Sequence, residues 1–279
     1  MHVVIMGTDR YALLPVTVSA ILGGCQAPAP PTSPEAVGEF RPGSGYLRGY
    51  LDPETLPNSL ALLPKPAAEG SNEQAADLAM YTTTRALRGT ARWSYAAEDA
   101  NLKFPQAAGT FSCAMDLPIS QERTPHLNML LRRSLLDAGL STYAAKDHYN
   151  RKRPFVVAGD ASCTPAEEAF LVKDGSYPSG HAALGWAWAL LLTEVAPERT
   201  DTLLARGYAF GQSRVICGVH WQSDVNAGRL MGAATVARLQ SDATFRAQLA
   251  AARTEVADAR TKGLHAERDC KAEEAALAR

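Results

Sequence analysis

The hydrophobic pattern along the chain is helical almost throughout. Leu127, Leu130, Leu131 and Leu135 recur at three- and four-residue spacing behind a Thr124-Pro125 start, with Gly139 placed to end the helix. Ser71 and Gln74 form a capping-box pattern that opens a segment running to about Arg88. Thr164-Pro165-Ala166-Glu167 marks a further start, joining an N-cap, a first-turn proline and a glutamate three residues on. Residues 182–194 are apolar on nearly every face, which predicts the central, most buried helix, stopped by Pro197. Helices are also expected over about 199–216 and 222–239, with an amphipathic one over 246–260. Alternating β-branched runs are few, and no Asn-Gly or Asp-Gly hairpin joins two of them. The pattern therefore predicts an all-α fold, a compact helical bundle around one apolar helix.

The ends depart from this pattern. Arg10 precedes an apolar stretch, Tyr11 to Leu22, that is short for a bilayer span but long enough for a signal-peptide core. Leu22-Gly23-Gly24 then leads into Cys25, which resembles a bacterial lipoprotein cleavage site where the cysteine is acylated. An ordinary secretory signal cut elsewhere is the alternative. The expected division is a signal peptide over 1–25, a Pro-rich tether over 26–45, a catalytic domain over 46–260 and a charged tail over 261–279. Leu51, Leu56, Leu60, Leu62 and Leu63 are available to pin the irregular start of the domain to its body. Export, to the periplasm or to an outer-membrane anchor, implies an oxidising compartment. There Cys113, Cys163, Cys217 and Cys270 can pair in three ways, and the sequence does not choose among them.

Composition narrows the function. Among 279 residues the formal net charge is −1, so no global basic field points to nucleic acid. Local groups of cations stand out against that neutral background. Lys146 is followed after six residues by Arg153-Pro154, Pro178-Ser179-Gly180-His181 opens the apolar helix, and Ser213-Arg214 precedes His220 and Asp224.

Each group alone is ordinary, but together they answer one problem. A phosphate monoester carries close to two negative charges, and its transfer requires that charge to be held and the line of attack fixed. Lys146, Arg153 and Arg214 supply three cations, two of them guanidinium forks. Ser179 and Gly180 offer a hydroxyl and backbone N–H groups at a helix N-terminus, where anions bind readily. His220 and Asp224 lie four apart, so the carboxylate can fix the imidazole tautomer that leaves the other nitrogen free to attack phosphorus. His181 is then placed to protonate the leaving alcohol. With three cations present, no metal or other cofactor is required.

This set of residues resembles the type 2 phosphatidic acid phosphatase superfamily motif. Gly175 to His181, Ala97 to Leu102, and Gly211 to Gly218 continuing through His220 to Asp224 are similar to one branch, the bacterial class A non-specific acid phosphatases, except that Ala182 stands where that branch usually has threonine. The resemblance covers about Tyr46 to Ala257. It implies a compact helical fold of the vanadium haloperoxidase/acid phosphatase type, broad activity on small phosphomonoesters, no metal, an acidic optimum and a homo-oligomer. It assigns Lys146, Arg153, Ser179, Gly180 and Arg214 to phosphate binding, His181 to acid–base chemistry, His220 to nucleophilic attack and Asp224 to orienting it.

Three other readings compete: a vanadium-dependent haloperoxidase, an integral-membrane lipid phosphatase, and a lipoprotein that binds phosphate without turnover. No segment after the leader is long and apolar enough to span a bilayer, so membrane contact is expected only through the N-terminal lipid. His148, His126 and His265 are read as structural or surface residues, and Trp186 and Trp188 as core. Trp221 is divided evenly between packing and pocket lining.

Overall fold

The computed structural model describes residues 29–278, so the leader and Cys25 lie outside the described residues. Among these residues there is no β-strand, only an isolated bridge between Glu39 and Leu47. The helices of seven or more residues are α1 (Asn72–Thr84), α2 (Ala91–Glu98), α3 (Pro125–Leu140), α4 (Tyr143–Tyr149), α5 (Gly180–Val195), α6 (Thr200–Ile216), α7 (Gln222–Leu239), α8 (Ala243–Thr261) and α9 (Cys270–Leu277). None is long and apolar enough to cross a membrane.

The apolar helix α5 sits at the centre, packed mainly on α6 and α7 and also on α3. Its Leu184, Trp188, Leu191 and Leu192 are buried with Phe111, Leu130, Leu131 and Phe210. The Trp188 indole N–H donates to the Leu131 carbonyl at 3.0 Å, which satisfies its one polar atom inside the core. Small residues let the backbones approach. A Cβ on Gly228 would stand 2.4 Å from the Ser179 carbonyl oxygen, and one on Gly232 would stand 2.3 Å from that of Ala183. Glycine on α7 thus permits the close contact that sets the start of α5 against it.

Local signals account for several helix starts. The Ser71 hydroxyl accepts from Gln74 N–H, while the Gln74 side chain reaches back to Gly70 N–H rather than to Ser71. Two expectations are revised. Gly139 does not end α3, which runs one residue further and closes without a left-handed residue. Thr164-Pro165 opens only a single 3₁₀ turn, Pro165–Glu167, and the four-residue helix Glu168–Leu171.

The margins are tied down more firmly than their composition suggests. Leu51 and Leu63 are buried, whereas Leu60 and Leu62 are exposed. Hydrogen bonds hold the rest of that segment: the Asp137 carboxylate accepts from the N–H groups of Tyr50 and Leu51, and Ser59 accepts from Ala145 N–H. Burial pushes the Asp137 carboxyl up to about 6. Within the Pro-rich stretch, the Thr32 carbonyl accepts from Gln121 and a short helix forms at Pro34–Val37. The charged C-terminal stretch folds back as α9. Its Cys270 is bonded to Cys113, and its buried Glu273 pairs with Arg206 and accepts from the Tyr95 hydroxyl. The remaining cysteines, Cys163 and Cys217, form the second disulfide.

Candidate active site

The start of α5 is the floor of the site. Ser179 is its N-cap: the hydroxyl accepts from Ala182 N–H, and its own N–H donates to the Asp224 carbonyl at 3.0 Å. The hydroxyl proton and the first-turn N–H groups of Gly180 and His181 remain available to an anion. The Tyr177–Pro178 peptide just before is cis.

Arg214 lies in the last turn of α6 and is fully buried, yet none of its three guanidinium nitrogens has a hydrogen-bond partner. Desolvation lowers its pKa to about 10, still far above neutrality, so the charge persists. An unpaired buried guanidinium is costly unless an anion completes it. The chain then turns so that Val219 and His220 N–H groups return to the Arg214 carbonyl. The turn is held from outside by Arg85, which donates to the carbonyls of Val215 and Ile216, and by the Cys163–Cys217 bond.

That turn delivers His220 against Arg153, whose Nη1 lies 3.0 Å from His220 Nε2. A guanidinium only donates, so Nε2 carries the lone pair and Nδ1 the proton. Nδ1 faces Asp224 Oδ2 at 3.6 Å, just beyond hydrogen-bond reach. Asp224 is itself fixed by the helix it begins: Oδ2 accepts from Trp221 N–H at 2.8 Å, while Oδ1 takes Arg151 Nη1 at 2.6 Å. Burial raises the Asp224 pKa, with Arg151 as the main opposing charge. The His220 pKa falls well below the usual imidazole range, chiefly through burial and then through Arg153, Lys146 and Arg214. His220 is therefore neutral, with an unprotonated ring nitrogen.

His181 projects from the first turn of α5. Its ring lies nearly parallel to Phe210, and Nε2 meets the Ala100 carbonyl at 3.0 Å. The carbonyl requires a proton on Nε2, so in the neutral ring Nδ1 carries the lone pair. Its pKa too is well below normal, from burial first and then from Arg214. Lys146 on α4 is buried, donates to the Gly175 carbonyl at 2.7 Å, and is pulled down to about 8 by desolvation. Gly175 allows this loop to lie on α4, since a Cβ there would come within 2.7 Å of the Lys146 carbonyl oxygen.

The structure thus brings Lys146, Arg153, Ser179, Gly180, His181, Arg214, His220 and Asp224 into one neighbourhood, where the three cations act together on His220. Several participants were not read from the sequence. Arg151 bridges Asp224 to Asp77 of α1, and Asp174 contacts both Arg153 and Lys146. The adjacent Arg151-Lys152-Arg153 run was the available signal for Arg151; the acidic partners had none. Trp221 is buried, with its indole N–H donating to the Lys152 carbonyl, which assigns it to packing. His148 and His265 are exposed, and the Nδ1 of half-buried His126 lies 2.9 Å from Gln248 Nε2. Among the described residues no group of three or more His, Cys, Asp or Glu side chains is arranged to hold a metal ion.

A helical bundle that gathers three cations, a helix N-terminus and a neutral imidazole defines a phosphoryl-transfer class of site. Comparison with known proteins agrees: residues 127–246 match the model of the PAP2 superfamily. The chain is 47% identical over 209 residues to a non-specific acid phosphatase of Providencia stuartii, covering 75% of this chain and 84% of that one. It is 44% identical over 213 residues to a non-specific acid phosphatase of Salmonella typhimurium, covering 76% and 85%, and 40% identical over 219 residues to an acid phosphatase of Zymomonas mobilis, covering 78% and 83%. The chain belongs to the PAP2 superfamily, among the relatives of the non-specific acid phosphatases.

Proposed function

We propose that this protein is an acid phosphatase of broad specificity that hydrolyses phosphate monoesters through a phosphohistidine, without a metal. The observation that carries the reading is Arg214: a guanidinium fully buried with no protein partner, beside a neutral imidazole whose lone pair faces the same cations. The names of the relatives support the phosphatase activity.

In this reading the phosphoryl oxygens take Arg214, Arg153, Lys146, the Ser179 hydroxyl and the α5 N-terminus. Displacement of Arg153 toward the phosphate frees His220 Nε2, whose lone pair attacks phosphorus as the bond to the alcohol oxygen breaks. Asp224 steadies the Nδ1–H of the phosphohistidine. His181 Nδ1 gives its proton to the departing oxygen. Water then yields a proton to His181 as it attacks the phosphohistidine, returning His220 and releasing phosphate. Burial first, and then the surrounding positive charge, hold the His181 pKa low. A bound phosphate reverses that field and allows the imidazole to hold a proton.

The test is to trap the phosphoenzyme with labelled substrate. Label on His220, lost in His220→Ala, with turnover insensitive to EDTA and blocked by vanadate, is the expected result. Turnover that survives in His220→Ala excludes the nucleophile assignment. Export, and acylation at Cys25, are proposed from the leader alone and are checked by mass spectrometry of the mature N-terminus.

A further inference from the structure

The three cations of the site are not equally free. Arg214 has no partner, whereas one carboxylate oxygen of Asp174 lies 2.7 Å from Arg153 Nη2 and 3.5 Å from Lys146 Nζ. That carboxylate is not needed to hold the two side chains in place. The Arg153 Nε donates to the carbonyls of Leu171 and Asp174, Nη1 to that of Val219, and the Lys146 ammonium to that of Gly175. Backbone oxygens fix the geometry, so what the carboxylate adds is charge. Two further carboxylates lie nearby, Asp77 and Asp224; both are ion-paired with Arg151, and neither is paired directly with Arg153 or Lys146. Asp174 is also partly exposed, its side chain keeping 17% of its accessible area, so it can withdraw toward water when an anion enters.

We propose that Asp174 is a positioned counter-charge that limits how tightly the cage holds phosphate, and thereby favours release of the product. The inference rests on the reading of the cage as a phosphate site. Asp174 offsets one unit of the positive charge that Lys146 and Arg153 present to the ligand. Removing it leaves that charge uncompensated, and substrate and product phosphate gain alike. Tighter binding of both lowers KM without raising kcat, and slower release of phosphate lowers kcat.

The measurement is titration calorimetry of inorganic phosphate near pH 6, with steady-state kinetics on an aryl phosphate. Asp174→Asn keeps an oxygen acceptor and removes the charge. One unit charge at the edge of such a site is worth on the order of tenfold in affinity for an anion. The phosphate Kd of Asp174→Asn is therefore expected to fall about tenfold, with KM falling in parallel and kcat not rising. Asp174→Glu, which keeps the charge, stays within about threefold of wild type on the same argument. A role in merely holding Arg153 and Lys146 predicts the opposite sign, weaker phosphate binding in Asp174→Asn, and that result or an unchanged Kd overturns the proposal. Asp174→Ser carries the same comparison if the asparagine variant does not fold. Arg214→Met separates the two levels of the argument. If it still binds phosphate like wild type, the cage reading itself is wrong; if it loses phosphate while Asp174→Asn gains nothing, only the counter-charge fails.

Discussion

Replacing Arg214 by methionine should make the protein more stable in phosphate-free buffer while removing the proposed phosphate site. The guanidinium is fully buried and its nitrogens are unpaired, so folding strips its hydration without protein hydrogen bonds in return. Burial lowers its pKa to about 10, a shift that corresponds to roughly 3 kcal/mol against folding, fully present below about pH 10. Methionine keeps a comparable unbranched stem and removes the charge, a kind of exchange that has stabilised other proteins by about 1–4 kcal/mol. At about 2–4 °C per kcal/mol for a chain of this size, Arg214→Met should melt roughly 6–12 °C higher than wild type in phosphate-free buffer. Phosphate at a hundred times its Kd should stabilise wild type by about 2.7 kcal/mol and leave the variant unmoved. The assay is thermal and urea unfolding with disulfides intact, with and without phosphate or vanadate. A variant less stable than wild type without phosphate, or still protected by it, would falsify the account of Arg214 as an anion-completing charge.

Other consequences concern the rest of the molecule. His181 and His220 are held neutral in the folded protein, so the unfolded chain binds more protons below about pH 6.5 and stability falls as pH drops. Each contributes a slope of about 1.4 kcal/mol per pH unit, so His220→Gln should flatten the stability profile between about pH 6.5 and 5 by that amount; an unchanged slope contradicts the neutral assignment. Gly228→Ala should cost about 1–3 kcal/mol and lower kcat, because its Cβ collides with the Ser179 carbonyl, whereas Gly139→Ala meets nothing and should stabilise by about 0.5–1 kcal/mol. Equal effects of the two, read by urea unfolding and turnover, would count against close packing as the device that sets the α5 N-terminus. Breaking the Cys113–Cys270 bond with paired serines should destabilise the oxidised protein by about 2–5 kcal/mol and expose α9 to proteolysis; a protease-resistant C-terminus in that variant speaks against the clasp.

Much of this protein was legible in its sequence because the signals are local. The apolar run that becomes α5, the Ser71 cap, the Thr124-Pro125 start and the four-residue step from His220 to Asp224 each depend on neighbours within a turn or two of helix. The candidate site residues were chosen the same way, as three short groups whose side chains suit one anion. Gly139 misled because a helical glycine is also tolerated inside a last turn, and the Thr164 start because a cap does not fix how far a helix runs.

Tertiary structure decided what pairs with what. Nothing local distinguishes Asp174, which lies against Arg153 and Lys146, from other surface-type acids, nor shows that Arg151 is divided between Asp77 and Asp224. The choice among cysteine pairings, the return of the charged tail to bury Glu273 and the bare state of Arg214 all arise between segments far apart in the chain. Which charges are shielded and which stand unpaired depends on burial and distance, and these exist only once α5, α6 and α7 have closed on one another.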